Sequence, residues 1–217
     1  MPSGKKWSWD EDEIKKYVGE LKGVTVPVHI SIEGRQKILS FGQVEKLLRE
    51  AITIALGECE CRERVQACDA PRDVCLYIGQ AAEEQIQRGL GSKVGLEEAL
   101  SALKRSNDAG LVLVTYTDRD KDSPGPHYIC SCCSCCCHSM IALEKYGFNE
   151  AIVTSDFIAE QDQSLCNDCG ACAGRCQFKA RKMVDSHLSY NSKACFGCGL
   201  CVGSCPENAI SLQKRVR

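Results

Sequence analysis

The chain has 217 residues and 44% apolar content, enough for one large or two smaller folded domains with an ordinary core. Its 27 Lys and Arg against 29 Asp and Glu give a formal net charge of −2, which excludes the basic footprint of a protein that binds nucleic acid or anionic lipid. The 18 cysteines are the outlying feature, and their meaning depends on the redox compartment.

The opening "MPSGKKWSWDEDEIKKYVGE" has Lys5 and Lys6 but continues into acidic, amphipathic sequence rather than an apolar run ending in small residues, so it does not read as a secretory leader. No stretch approaches the ~18 consecutive apolar residues of a membrane span. The expectation is a cytoplasmic protein whose thiols stay reduced and bind metal or do redox chemistry rather than form disulfides.

In chain order, "WDEDEIKKYVGELK" predicts an amphipathic helix with Asp10, Glu11 and Asp12 in its first turn, where the helix dipole favours them. "VTVPVHISIE" alternates like a strand, with Pro27 pointing to a sheet edge. "FGQVEKLLREAITIAL" predicts one helix with Val44, Leu47, Leu48 and Ala51 on one face, ending at Gly57. "CECRERVQACDAPRDVC" then supplies Cys59, Cys61, Cys68 and Cys75; Pro71 argues against an unbroken helix and for a loop bent around something. "VCLYIGQAAEEQIQRGLG" and "GLEEALSALKRSNDAG" predict two further helices stopped by glycine, the second at Gly110. "LVLVTYT" reads as a buried strand, and the polar loop "DRDKDSPGPH" leads into "ICSCCSCCCHSM". "SMIALEKYG" has helical spacing and "EAIVTS" reads as a short strand. Near residue 156 the chain becomes rich in glycine and cysteine, which predicts a boundary between a cysteine-rich α/β domain over 1–155 and a second domain over 156–217.

Residues 166–176, "CNDCGACAGRC", and 195–205, "CFGCGLCVGSC", share the spacing C-x2-C-x2-C-x3-C and lie 29 residues apart, an internal duplication. Three thiolates at that spacing wrap one face of a cubane, and the fourth lies too far along the chain to close the same cube, so it serves the other cluster. The expected ligand sets are Cys166, Cys169, Cys172 and Cys205 for one cluster, and Cys195, Cys198, Cys201 and Cys176 for the other. One motif alone would also suit a zinc ion; two copies, the second closed by Cys205-Pro206, favour cubanes. Roughly residues 160–215 resemble the bacterial two-cluster ferredoxins, which implies a pseudo-twofold α+β module with two [4Fe-4S] centres. The sequence departs from that pattern at Gln177, where the family has proline. Phe178, Tyr190 and Phe196 are the expected water shields.

Ten cysteines precede this module: Cys59, Cys61, Cys68, Cys75, Cys130, Cys132, Cys133, Cys135, Cys136 and Cys137. They lack the repeated close pairs of a zinc ribbon, and Ser134 occupies the place of the first cysteine in a C-x-x-C-H haem motif. Adjacent residues point to different sides, so the six thiols of residues 130–137 cannot share one apolar pocket. Against buried structural thiols or a metal-storage tract, at least one further iron–sulfur centre is expected here, with the N-terminal N–H groups of the helix beginning near His138 facing it. Arg62 next to Cys61 has a second reading as a partner of the thiolates, solvation being the default; His127 and His138 flank the loop as its candidate proton donors, with a surface or capping histidine as the default reading of each.

The whole chain resembles a class of anaerobe proteins in which a cysteine-rich domain with C-x-C-R and a CCxCCC-type loop precedes a two-cluster ferredoxin; the resemblance implies architecture rather than activity. The function expected is relay of low-potential electrons through two [4Fe-4S] clusters to or from the N-terminal centre, with redox proteins as donor and acceptor, or as a subunit of a larger redox complex. The clusters would carry the chemistry, so no catalytic residue is assigned. The alternative is a small ferredoxin-fused reductase acting on a disulfide, a sulfur species or another small substrate, and a weaker one is a scaffold with structural clusters. Without a nucleotide-binding glycine motif, either redox reading takes electrons from a protein donor.

Overall fold

The computed structural model describes residues 8–25, 42–118 and 127–215. Helix α1 (Glu11–Glu20) begins with a capping box: the Glu13 N–H donates to Asp10 Oδ1 at 2.9 Å and the Asp10 N–H to Glu13 Oε2 at 3.2 Å. Trp9 and Ile14, at the staple positions either side of this box, are both buried. Strand β1 (Leu21–Thr25) follows directly and lies inside a sheet. Of "VTVPVHISIE" it contains Val24 and Thr25 alone; Pro27 and the rest of that expected strand fall outside the described residues, as does most of "DRDKDSPGPH".

The next two segments correct the sequence reading. The helix expected to run to Gly57 stops early, as α2 (Gly42–Glu50), and Ile54–Gly57 is strand β2. Ile52, Thr53 and Ile54 are β-branched and poor in a helix, and β2 finds a partner on each side. The expected apolar face is present, with Val44 and Leu48 buried and Leu47 and Ala51 packed beside them. After α3 (Glu60–Val65), the helix expected from Val74 is instead strand β3 (Cys75–Ile78), then Gly79 at φ 60 and the short α4 (Gln80–Gln87). All four β3 residues are buried, and such a continuous apolar run has no period by which strand and helix can be told apart.

From there α5 (Leu96–Asp108) ending ahead of Gly110 at φ 75, β5 (Val112–Asp118), α6 (His138–Tyr146) closed by Gly147 and β7 (Ile152–Val153) follow the expected order, while β4 (Gly91–Lys93) and β6 (Tyr128–Cys132), the latter entering the expected cysteine loop, are strands the sequence reading did not include. Among the described residues these strands form one sheet in the order β4-β2-β3-β6-β5-β1-β7, antiparallel except for the β1–β7 pair.

The C-terminal part is built from short elements. Strand β8 (Phe157–Gln161) pairs antiparallel with the last strand, and α7 (Ala171–Arg175) precedes the hairpin β9 (Arg181–Val184) and β10 (His187–Tyr190). A 3-10 turn at Ser192–Ala194, α8 (Leu200–Ser204) and β11 (Ile210–Lys214) complete it. Gly170 and Gly199 stand immediately before α7 and α8 with φ 76 and 81, a left-handed turn that glycine makes without steric cost. The architecture is mixed α and β with antiparallel sheets, compatible with the α+β class. No helix among the described residues is long and apolar enough to cross a membrane.

Candidate metal and cluster sites

Strand β6 decides where the first cysteines point. The two-residue period puts Tyr128, Cys130 and Cys132 on one face of the sheet and Ile129 and Ser131 on the other. The second face is closed by α5, where Ser131 Oγ lies 2.6 Å from Ser106 Oγ and donates to the Val74 carbonyl at 2.9 Å. The cysteine face opens into a cavity of about 640 Å³.

Six thiols line that cavity: Cys130 and Cys132 from β6, Cys75 from β3, Cys59 and Cys61 at the start of α3, and Cys137 just before α6. The loop after α3 does bend around, because the Cys59 N–H donates to the Arg72 carbonyl at 2.9 Å and so returns Cys75 beside Cys59. Tyr17, Tyr77, Tyr116 and Tyr128 supply much of the remaining wall. Thiol hydrogen bonds from Cys61 and Cys75 push Cys59 down to about 3. Those from Cys132 and Cys61 hold Cys137 well below the usual thiol range. The partners Cys61, Cys75 and Cys132 move up correspondingly, each first through its hydrogen bond to a neighbouring thiol and then through burial. Cys59 and Cys137 thus favour the thiolate, the form that binds iron or another metal.

His138 belongs to this wall rather than to a solvent-facing cap: its Nδ1 lies 3.2 Å from Cys61 Sγ. His127 is buried as well, at 3% exposure, so the surface reading of both histidines is replaced.

Cys68, Cys133, Cys135 and Cys136 form a separate group. Their four sulfurs all lie within 4.8 Å of one another, with Cys68–Cys133 and Cys68–Cys136 at 3.9 Å and Cys135–Cys136 at 3.8 Å. Three come from the turn between β6 and α6, and Cys68 from the loop after α3. Burial pushes Cys136 up to about 12. The loop "CSCCSCCC" is thus shared between two sites, with Cys130, Cys132 and Cys137 facing the cavity and Cys133, Cys135 and Cys136 turned away from it.

Arg62 stands between the two groups and overturns its default reading as a solvated arginine. It is 2% exposed, its Nη1 donates to the Ser131 carbonyl at 2.6 Å, and the same nitrogen lies 3.9 Å from Cys133 Sγ. Burial opposes its charge, but attraction to Cys59 first, then to the sulfurs of Cys75 and Cys133, outweighs burial and favours the charged guanidinium. Its Nε and Nη2 have no hydrogen-bond partner among the described residues.

In the C-terminal part, one cleft is lined by Cys166, Cys169, Cys172 and Cys205 and a second by Cys176, Cys195, Cys198 and Cys201. Phe178 and Phe196 stack at 4.2 Å against the second cleft, which Tyr190 also lines. Met183 lies against Gly170, and the Ala209 N–H donates to Cys205 Sγ at 3.3 Å. Among the described residues no group of these cysteines gathers as tightly as Cys68 does with its partners.

Gln177, the departure from the ferredoxin pattern, has a tertiary role. Its Oε1 accepts from the Ser134 N–H at 3.0 Å and the Ser134 hydroxyl at 2.9 Å, and its Nε2 donates to the Gly110 carbonyl at 2.9 Å. The residue after Cys176 is thereby tied to the residue between Cys133 and Cys135. Arg175 adds bonds of 2.8 Å to the carbonyls of Asn107 and Asp108, and Lys179 pairs with Glu144 at 2.7 Å. The sequence offers Arg62 as a thiolate partner only as a second reading, and it shows neither the Gln177 bridge nor the division of the cysteine loop; the odd Gln177 is the signal for the bridge.

Comparison with curated proteins returns no match to this chain. Residues 158–212 match the family model of the 4Fe-4S dicluster domain, and the C-terminal part of the chain is accordingly a ferredoxin-type 4Fe-4S domain.

Proposed function

We infer that the chain is an electron-transfer protein with two [4Fe-4S] clusters in a ferredoxin module over 156–217 and a further iron–sulfur centre in the cysteine-rich domain over 1–155. The observation that carries this reading is the crossed lining of the two C-terminal clefts, in which Cys205 joins the first cysteine run and Cys176 joins the second. That is the sharing of fourth ligands expected of two-cluster ferredoxins and of their pseudo-twofold arrangement. The six-thiol cavity supports the N-terminal centre, since no other described part of the molecule gathers so many thiols around open space. When bound, the clusters supply one-electron chemistry at low potential. The chain supplies the rest: Phe178 and Phe196 exclude water, the Ala209 N–H bonds a ligand sulfur, and Gln177 holds the two cysteine regions together. Redox proteins of the cytoplasm, free or in a larger complex, are the proposed donor and acceptor.

A second reading, a reductase, is favoured by the size of the cavity. Counted with the space at its mouth it measures about 1620 Å³, against about 310 and 330 Å³ for the two clefts. Room remains beside a cluster for a small substrate, with His138 Nδ1 3.2 Å from Cys61 Sγ. Iron and acid-labile sulfide per chain, measured on protein purified without oxygen, test the main reading. About 12 irons or more, matched by sulfide, are expected; about 8, the content of two four-iron clusters, would leave the cavity without an iron–sulfur centre. An EPR signal that shifts when cyanide or a small disulfide is added would favour the reductase.

A further inference from the structure

We propose that Cys68, Cys133, Cys135 and Cys136 form a separate tetrathiolate site for a single thiophilic divalent ion, zinc or ferrous iron, outside any iron–sulfur cluster. The inference goes beyond the electron-transfer reading and stands on its own geometry.

A tetrahedral ion with metal–sulfur bonds of about 2.3 Å sets its ligand sulfurs about 3.8 Å apart. The three sulfur pairs at 3.8–3.9 Å match that edge, and the whole set stays within 4.8 Å. A cubane places each thiolate beyond a different iron, so its ligand sulfurs sit at the corners of a much larger tetrahedron. The cysteines of the 4Fe-4S domain show this difference within the same molecule, facing clefts instead of one another.

Charge gives an independent argument. Four thiolates around a divalent ion carry a net charge of −2, and the site lies against the Arg62 guanidinium, which is 2% exposed and which it shares with Cys59 and Cys75 of the cavity. Burying that cation without an anion beside it is costly. Its Nη1 is 3.9 Å from Cys133 Sγ.

All four positions belong to protein side chains, so the site is closed in the manner of structural metal centres. The ion pins the loop after α3 to the turn before α6. Cys132 and Cys137, which flank that turn, are thereby held facing the cavity, while Ser134 within it is held toward Gln177.

The test uses the full chain purified without oxygen. One zinc per chain, or one iron in excess of sulfide, is expected, and X-ray absorption at the edge of that ion should show four sulfurs at about 2.3 Å. The choice of edge tells zinc from iron. A nitrogen- or oxygen-rich shell, or the absence of any ion beyond the sulfide-matched iron, would overturn the proposal. Cys135→Ala is chosen because Cys135 is exposed; it should remove or strongly weaken that ion and leave sulfide unchanged. Loss of iron and sulfide together would instead assign Cys135 to a cluster. If the variant does not fold, the absorption measurement on the unaltered chain decides alone. A missing third cluster with the single ion retained would defeat the functional reading and spare this one.

Discussion

The C-terminal cysteines come in two runs of one spacing, whereas the N-terminal cysteines are collected from α3, the loop behind it, β3, β6 and the turn before α6. In the first case one short run of chain loops around each cleft and supplies three of its cysteines, and a single cysteine from the other run completes the lining. In the second, ten thiols become two groups only because a sheet and a bent loop bring distant segments together. The lesson is that cysteine spacing reports a site when the chain itself encircles it, and reports little when strands deliver the ligands.

Variants sharpen this contrast. The largest effect is expected from Cys169→Ser, which should remove or convert one C-terminal cluster. About 4 of the irons should be affected, and an unchanged pair of [4Fe-4S] EPR signals would sink the ligand assignment. Arg62→Met should come next, because it leaves thiolates of both N-terminal groups without their buried cation. A loss of about 3–5 kcal/mol is expected in oxygen-free denaturant unfolding, with Arg62→Lys recovering part of it; a change below about 0.5 kcal/mol would mean that the guanidinium balances no charge there.

Gln177→Pro restores the ferredoxin residue but cuts the bridge to Ser134 and Gly110. It should keep both C-terminal clusters while lowering stability by about 1–3 kcal/mol, from the part-buried groups at Ser134 and Gly110 left unpaired. A stabilised protein would show that the bridge matters less than the backbone restraint of proline. The smallest effect is expected from Asp10→Ala, which removes the cap of α1. About 1 kcal/mol should be lost with metal content and spectra unaltered, and a lost metal ion would show that α1 supports the thiol sites more directly than its contacts suggest.

The parts legible in sequence share a physical character. α1, α5 and α6 carry caps, helical period or a terminal glycine, and β5 is a long apolar strand; each signal lies within its own segment. β2 and β3 look helical in sequence because a strand buried among others has no polar face to set a period. Pro71 signalled the bent loop, but not that the bend returns Cys75 to Cys59.

By itself, the sequence determined that a ferredoxin-type 4Fe-4S domain occupies the C-terminal part, since that signal is local spacing and small residues at tight turns. Tertiary structure alone decided the division of the ten N-terminal thiols. The alternation of β6 sends Cys130 and Cys132 to one face, and the turn after it reverses Cys133, Cys135 and Cys136 toward Cys68. It also decided that Arg62 is buried between them and that Gln177 spans two regions. Those outcomes depend on which segments meet in space, and no short stretch of chain carries that information.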